Sequence, residues 1–133
     1  MIDFHLDQRS GVPPYLQVVQ QVHHALRLSV LRPGDQLPTV KEVVAKLAIN
    51  PNTVLKAYRE LEHEGLVKGR PGQGTFVIAA PNGPSPSDLS LLQAELAQWL
   101  RNAYSAGLTE EDIAALLAEA LRPVALNRKE GAA

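Results

Sequence analysis

The sequence predicts a mainly α fold with one small β-hairpin, organised as a compact N-terminal domain and a two-helix appendage. Three observations predict it. Apolar residues recur at helical spacing in three segments before Gly65. The period then switches to two short β-prone runs around RPGQG. Beyond PNGPSPS, the one linker-like stretch, two further apolar stripes return to helical spacing.

The elements follow in order. Residues before Tyr15 read as extended, with Ile2, Phe4 and Leu6 alternating with polar residues until SGVPP breaks the run. A helix starts at Pro14 and carries Tyr15, Val18, Val19, Val22, Leu26 and Val30 as one stripe. LRPGDQLP ends it, because Pro33-Gly34 and Pro38 cannot continue a helix. Thr39, with Glu42 three residues later, forms a capping box for a short helix containing Val40, Val43, Val44 and Leu47. Ala48-Ile49 then make a tight connection to NPNTVLKAYRELEHEG, residues 50–65. There Asn50 caps, Pro51 suits the first turn and Gly65 terminates. Val54, Ala57, Tyr58 and Leu61 share its inward face.

Leu66-Val67-Lys68 and Thr75–Ile78 form a hairpin with Arg70 and Gln73 at its tip. Three helices and a hairpin, with so short a connection before the third helix, describe a winged helix-turn-helix over residues 12–80. After the linker at 81–87, Leu89, Leu92, Leu96, Trp99, Leu100 and Ala103 lie on one face until Ala106-Gly107. Thr109, with Asp112, caps a last helix bearing Ile113, Leu116, Leu117, Ala120 and Leu121. Pro123 ends it, which gives a two-helix region at 88–123 and a disordered tail at 124–133.

Composition narrows the function. The absence of cysteine excludes disulfides and thiolate metal sites. No apolar run approaches the ~20 residues of a membrane helix, and MIDFHLDQRSG has no signal-peptide core, so a cytoplasmic protein is expected. Residues 1–79 hold nine Lys/Arg and seven Asp/Glu (+2), and residues 80–133 hold four and seven (−3), which sum to −1. So mild an asymmetry decides nothing, and position must decide.

The decisive position is the outward face of the third helix, with Asn52, Thr53, Lys56 and Arg59 and an apolar Leu55 among them. Alone, such a face is ordinary solvated surface. Joined to a capped preceding helix and a Gly-rich wing, it matches a recognition helix in the DNA major groove. Asn can bond adenine, Thr can reach a base or a thymine methyl, and Lys or Arg meet guanine or phosphate. The first-turn amides of Asn52 and Thr53 could also face a phosphate. Leu55 lies off the inward stripe and is expected to read a thymine methyl.

The run PGDQLPTVKEVVAKLAINPNTVLKAYRELEHEGLVKGRPGQGTFV resembles the DNA-binding domain of the GntR family of bacterial transcription regulators. IDFHLDQRSGVPPYLQVVQQV and the short two-helix tail are similar to its YtrA subfamily. The resemblance implies that Lys41, early in the second helix and beside Thr39, contacts the DNA backbone. It implies base reading by Asn50, Asn52 and Thr53, further basic contacts from Lys56 and Arg59, and a wing tip of Gln73, Gly74 and Thr75 in the minor groove. Relatives often carry Arg where this chain has Lys41 and Leu55, so a shifted base preference and a weaker salt dependence are expected here.

Partners follow from the same pattern. Two amphipathic helices cannot bury their own stripes, so Leu89, Leu92, Leu96, Trp99, Leu100, Ile113, Leu116 and Leu117 need a partner surface. An identical chain is the economical answer, and packing onto the first helix is the alternative. The subfamily resemblance implies dimerisation, a palindromic operator, repression, and target genes such as a transporter operon and the regulator's own promoter. A protein-interaction module and a small-molecule sensor are the competing classes, and no ligand-specific feature supports an effector. His5, His23, His24 and His63 lack metal-site spacing, and no nucleophile or phosphate loop is present, so no metal, cofactor or enzymatic activity is expected.

Overall fold

The computed structural model describes residues 2–132 apart from Asn82 and Pro84, without the side chains of Pro86 and residues 123–132. The elements are α1 (Pro14–Arg27), α2 (Val40–Leu47), α3 (Pro51–His63), β1 (Val67–Arg70), β2 (Gly74–Val77), α4 (Pro86–Ser105) and α5 (Glu110–Ala132). The chain divides into two compact units, Met1–Ser85 and Pro86–Ala133.

In the first unit α3 is the central element, packed against α1, α2 and β1. Its predicted inward face is the buried one: Val54, Ala57 and Leu61 are solvent-free and Tyr58 is 5% exposed. The caps take the forms expected from sequence. Thr39 Oγ1 accepts the Glu42 N–H at 3.1 Å, and the Thr39 N–H donates back to Glu42 Oε1 at 3.2 Å. At the end of α3, Gly65 takes φ 78°, and the Leu66 N–H donates to the Leu61 carbonyl at 3.1 Å.

Four features differ from the sequence reading. First, α1 ends at Arg27, because Ser29 turns left-handed (φ 58°) and the Val30 N–H donates to the Ala25 carbonyl at 2.8 Å. That closure leaves Val30 exposed and sends Leu31 into the core. Second, the N-terminal segment belongs to the fold, with Phe4 buried in the core. The Gln21 amide bonds the backbone N–H and carbonyl of His5, and the Gln17 amide does the same for Asp7. Asp3 also pairs with Lys46 of α2. Third, the Pro/Gly stretch after α1 pairs with the wing: the Gly34 N–H donates to Val77, Val77 to Asp35, and Leu37 to Thr75, each at 2.8 Å. Fourth, α5 runs through Pro123 to Ala132. Proline removes one helical hydrogen bond there, but the strong helix formers Ala125, Leu126, Arg128, Lys129 and Glu130 carry the backbone on.

β1 and β2 pair antiparallel, from Val67 opposite Val77 to Arg70 opposite Gly74. In the second unit, the Leu108 N–H donates to Ala103 at 3.1 Å across a turn at Gly107. The Thr109–Asp112 capping box then opens α5. Its hydrogen bonds from Thr109 hold the Asp112 carboxyl below the ordinary carboxylate range. Among the described residues, no helix is long and apolar enough to cross a membrane.

Tyr58 ties α3 to the entry of α2, its hydroxyl donating to the Pro38 carbonyl at 2.6 Å. Burial pushes its phenol up from the ordinary 10.0, with the Glu42 carboxylate adding to the effect. A raised folded-state pKa gives stability that is complete below the unfolded value and lost as pH climbs above it. Tyr58→Phe is expected to cost about 1–3 kcal/mol at neutral pH by stranding the Pro38 carbonyl. It is also expected to lack the alkaline loss of the native protein. Urea melts on both sides of pH 10 check this, and equal stability at neutral pH contradicts it.

Candidate nucleic-acid interface

The start of α3 is organised by Asn50, whose Oδ1 accepts the Asn52 N–H at 2.8 Å and whose carbonyl accepts the Thr53 N–H at 2.9 Å. Both first-turn amides are therefore engaged, which corrects the expectation that they face a phosphate. Asn50 keeps its amide NH₂ free for an outside partner, while its oxygen already accepts one bond in the cap. Asn52 is exposed and Thr53 half-buried, with no side-chain hydrogen bond among the described residues. One turn on, Lys56 and Arg59 are exposed. Leu55 is half-buried, and the partly buried hydrophobics packed on the core do not include it.

Lys41 is exposed in the first turn of α2. Thr39 is exposed as well, but its hydroxyl oxygen is taken by the capping box. Thr39 and the wing residues Arg70, Gln73, Gly74 and Thr75 line one open groove, which also receives the acid Glu62. The wing tip closes through the Gln73 N–H, which donates to Arg70 at 2.9 Å. Gln36, which the sequence reading passed over, supports the wing from outside the hairpin. Its Nε2 donates to the Gln73 carbonyl at 3.1 Å, and nothing local in PGDQLP signals that contact.

Two interface cations lie on aromatic rings. Lys56 Nζ sits 3.9 Å from the centroid of Tyr15, and the Arg70 guanidinium sits 4.8 Å from that of Phe76. Gly74 has φ 124°, a backbone conformation that L side chains rarely adopt, and a Cβ there would also push the Gln36 amide aside. Gly74→Ala is therefore expected to cost about 1–3 kcal/mol. A denaturant melt checks this, and unchanged stability contradicts it.

The second unit is sparsely buried. Ala103 and Ile113, flanking its turn, are its only buried hydrophobics among the described residues. Ile113 is thus covered within one chain and is not offered to a partner. Leu92, Leu96, Trp99, Leu116 and Leu117 are exposed, and Leu89 and Leu100 half-buried. No group of acidic or histidine side chains that could hold a metal ion occurs among the described residues.

Residues 14–77 match the pattern described as "Bacterial regulatory proteins, gntR family". The repressor YtrA of Bacillus subtilis is 35% identical over 109 residues, covering 81% of this chain and 84% of that protein. The regulator YhcF of the same organism is 34% identical over 105 residues, covering 79% and 87%. Among solved structures, a transcriptional antiterminator from Listeria monocytogenes superposes with a TM-score of 0.55 at 29% identity, covering 89% of each chain. YtrA from Sulfolobus acidocaldarius, described as a GntR-family transcription factor, superposes with a TM-score of 0.53 at 27% identity, covering 73% of this chain and 96% of that one. A capped α3 with a polar outward face, a supported wing and these relatives lead to one assignment: the chain belongs to the GntR family and is a DNA-binding transcription regulator of the YtrA-like kind.

Proposed function

We propose that the protein acts in the cytoplasm as a homodimeric repressor on a short palindromic operator, excluding other factors from the promoter it covers. The observation that carries this reading is the division of α3. One face is buried, while Asn52, Lys56 and Arg59 on the other are open to solvent beside the half-buried Leu55 and Thr53. Phosphate contacts come from Lys41, Lys56, Arg59 and Arg70, and supply most of the affinity. Base reading comes from the Asn50 NH₂, Asn52, Thr53 and Leu55, with Gln73 and Thr75 at the minor groove. Gly74 stands with them at the wing tip, where its backbone can approach the minor groove.

The winged unit is read as the DNA-binding domain, 81–87 as a linker and α4–α5 as the dimerisation region. The exposed leucines and Trp99 support that division, since a cluster of large apolar side chains open to water marks an association surface. A two-fold dimer places two α3 helices on successive major-groove faces, as a palindrome requires.

Lys56→Ala tests the α3 assignment. Loss of one phosphate contact is expected to reduce the slope of log affinity against log salt by about 0.9. Fluorescence anisotropy on a labelled duplex at several salt concentrations reads it. An unchanged affinity and slope would remove Lys56 from the interface.

A further inference from the structure

We propose that Tyr15 is a positioning residue for DNA binding: its ring is a platform that holds the Lys56 ammonium ready for phosphate without neutralising it. The inference rests on the α3 reading above and deepens it. Tyr15 stands at the second position of α1, half-buried and packed against the core, so its ring is fixed by the fold. Lys56 reaches back from the exposed side of α3 and places Nζ 3.9 Å from the ring centroid.

The chemistry of the contact matters. A free lysine stem has several rotatable bonds, and ordering it on binding costs conformational entropy. An acidic partner would order it too, but would also cancel the charge that phosphate needs. A ring face attracts the cation through its quadrupole and leaves the full positive charge in place. Its N–H donors also stay clear of any carboxylate, ready for phosphate oxygens.

Four cations outside the histidines have a described side-chain ring or acid partner, and these four divide by location. Lys46, on α2, is paired with Asp3, and Arg122 of α5 is paired with Glu119. Neither belongs to the proposed interface. Lys56 and Arg70, two of the four proposed interface cations, lie on Tyr15 and Phe76 instead, while Lys41 and Arg59 stand exposed without a ring among the described residues. The wing thus repeats, within one hairpin, the arrangement that Tyr15 makes between two helices.

A double-mutant cycle tests the platform, using the full-length protein and sheared mixed-sequence duplex DNA at low salt, because phosphate contacts do not depend on sequence. Tyr15→Leu, which keeps apolar bulk over the core, is expected to weaken binding about three- to fivefold. Tyr15→Phe keeps a ring face and is expected to bind within about twofold of the native protein. In a Lys56→Ala background, Tyr15→Leu is expected to have no further effect. Thermal melts of each variant show whether the fold is retained.

Three results overturn the proposal. Additive losses from Tyr15→Leu and Lys56→Ala would mean that Tyr15 acts independently of the lysine. Equal weakening by Tyr15→Phe and Tyr15→Leu would assign the effect to the hydroxyl. If Lys56→Ala alone leaves binding intact, the α3 reading fails first and the platform with it.

Discussion

Trp99→Asp is expected to convert the protein to a monomer and to lower its affinity for a palindromic duplex by about a hundredfold or more. Trp99 is 39% exposed in the single chain and shares its helix with the exposed Leu92 and Leu96. Buried tryptophans at interface centres commonly carry a large share of association energy. A carboxylate placed there would have to be desolvated without a partner, which disfavours the associated state strongly. Each half-site would then be bound separately, and the gain from tethering two reading heads would be lost. The winged unit has its own core, so its thermal melt is expected to stay near that of the native protein. Sedimentation equilibrium and anisotropy together read the result. A variant that remains dimeric, or a monomer that binds as tightly, contradicts the role given to α4.

The second large effect separates two leucines of one helix. Leu61→Ala is expected to cost about 2–5 kcal/mol, because the side chain is solvent-free and its removal leaves a cavity between α3 and its neighbours. Against a typical domain stability of about 5–15 kcal/mol, that loss brings the winged unit close to unfolding at moderate temperature. Leu55→Ala, six residues earlier, is expected to leave the denaturation midpoint almost unchanged, since Leu55 does not pack on the core. Its effect should fall on discrimination at one thymine position of the operator. Urea titrations and binding to single-base operator variants read both halves. Comparable stability losses at the two sites would make Leu55 a packing residue and end its role as a base reader.

The contrast between these leucines also shows what was legible in the sequence. Local signals carried far. The Thr39–Glu42 and Thr109–Asp112 boxes, the Asn50 cap, the Gly65 stop and the buried stripe of α3 all follow from residues within about two turns of each other. Features set by distant chain did not. Phe4 reads as one apolar residue in a polar stretch, and only α1 and its neighbours make it core. Asp35–Leu37 is too short and too closely framed by prolines to read as a strand, yet it pairs with β2 across nearly forty residues of chain. The end of α1 depends on Ser29 adopting a left-handed conformation without glycine, which no local pattern announces.

The same division holds at the interface. The residue types suited to DNA were readable, but not which polar groups the fold had already engaged. The Asn52 and Thr53 amides go to Asn50, and the Thr39 hydroxyl oxygen goes to Glu42. The ring contacts of Lys56 and Arg70 likewise join positions that only the tertiary fold, or the hairpin register, brings together.

The central claim is tested most directly by selection from a pool of random duplexes, read by sequencing at two salt concentrations. The native protein is expected to enrich a palindrome whose half-sites lie about one helical turn apart, and Trp99→Asp is expected to lose it. Salt-sensitive background without an enriched motif would contradict a dimeric, sequence-specific regulator.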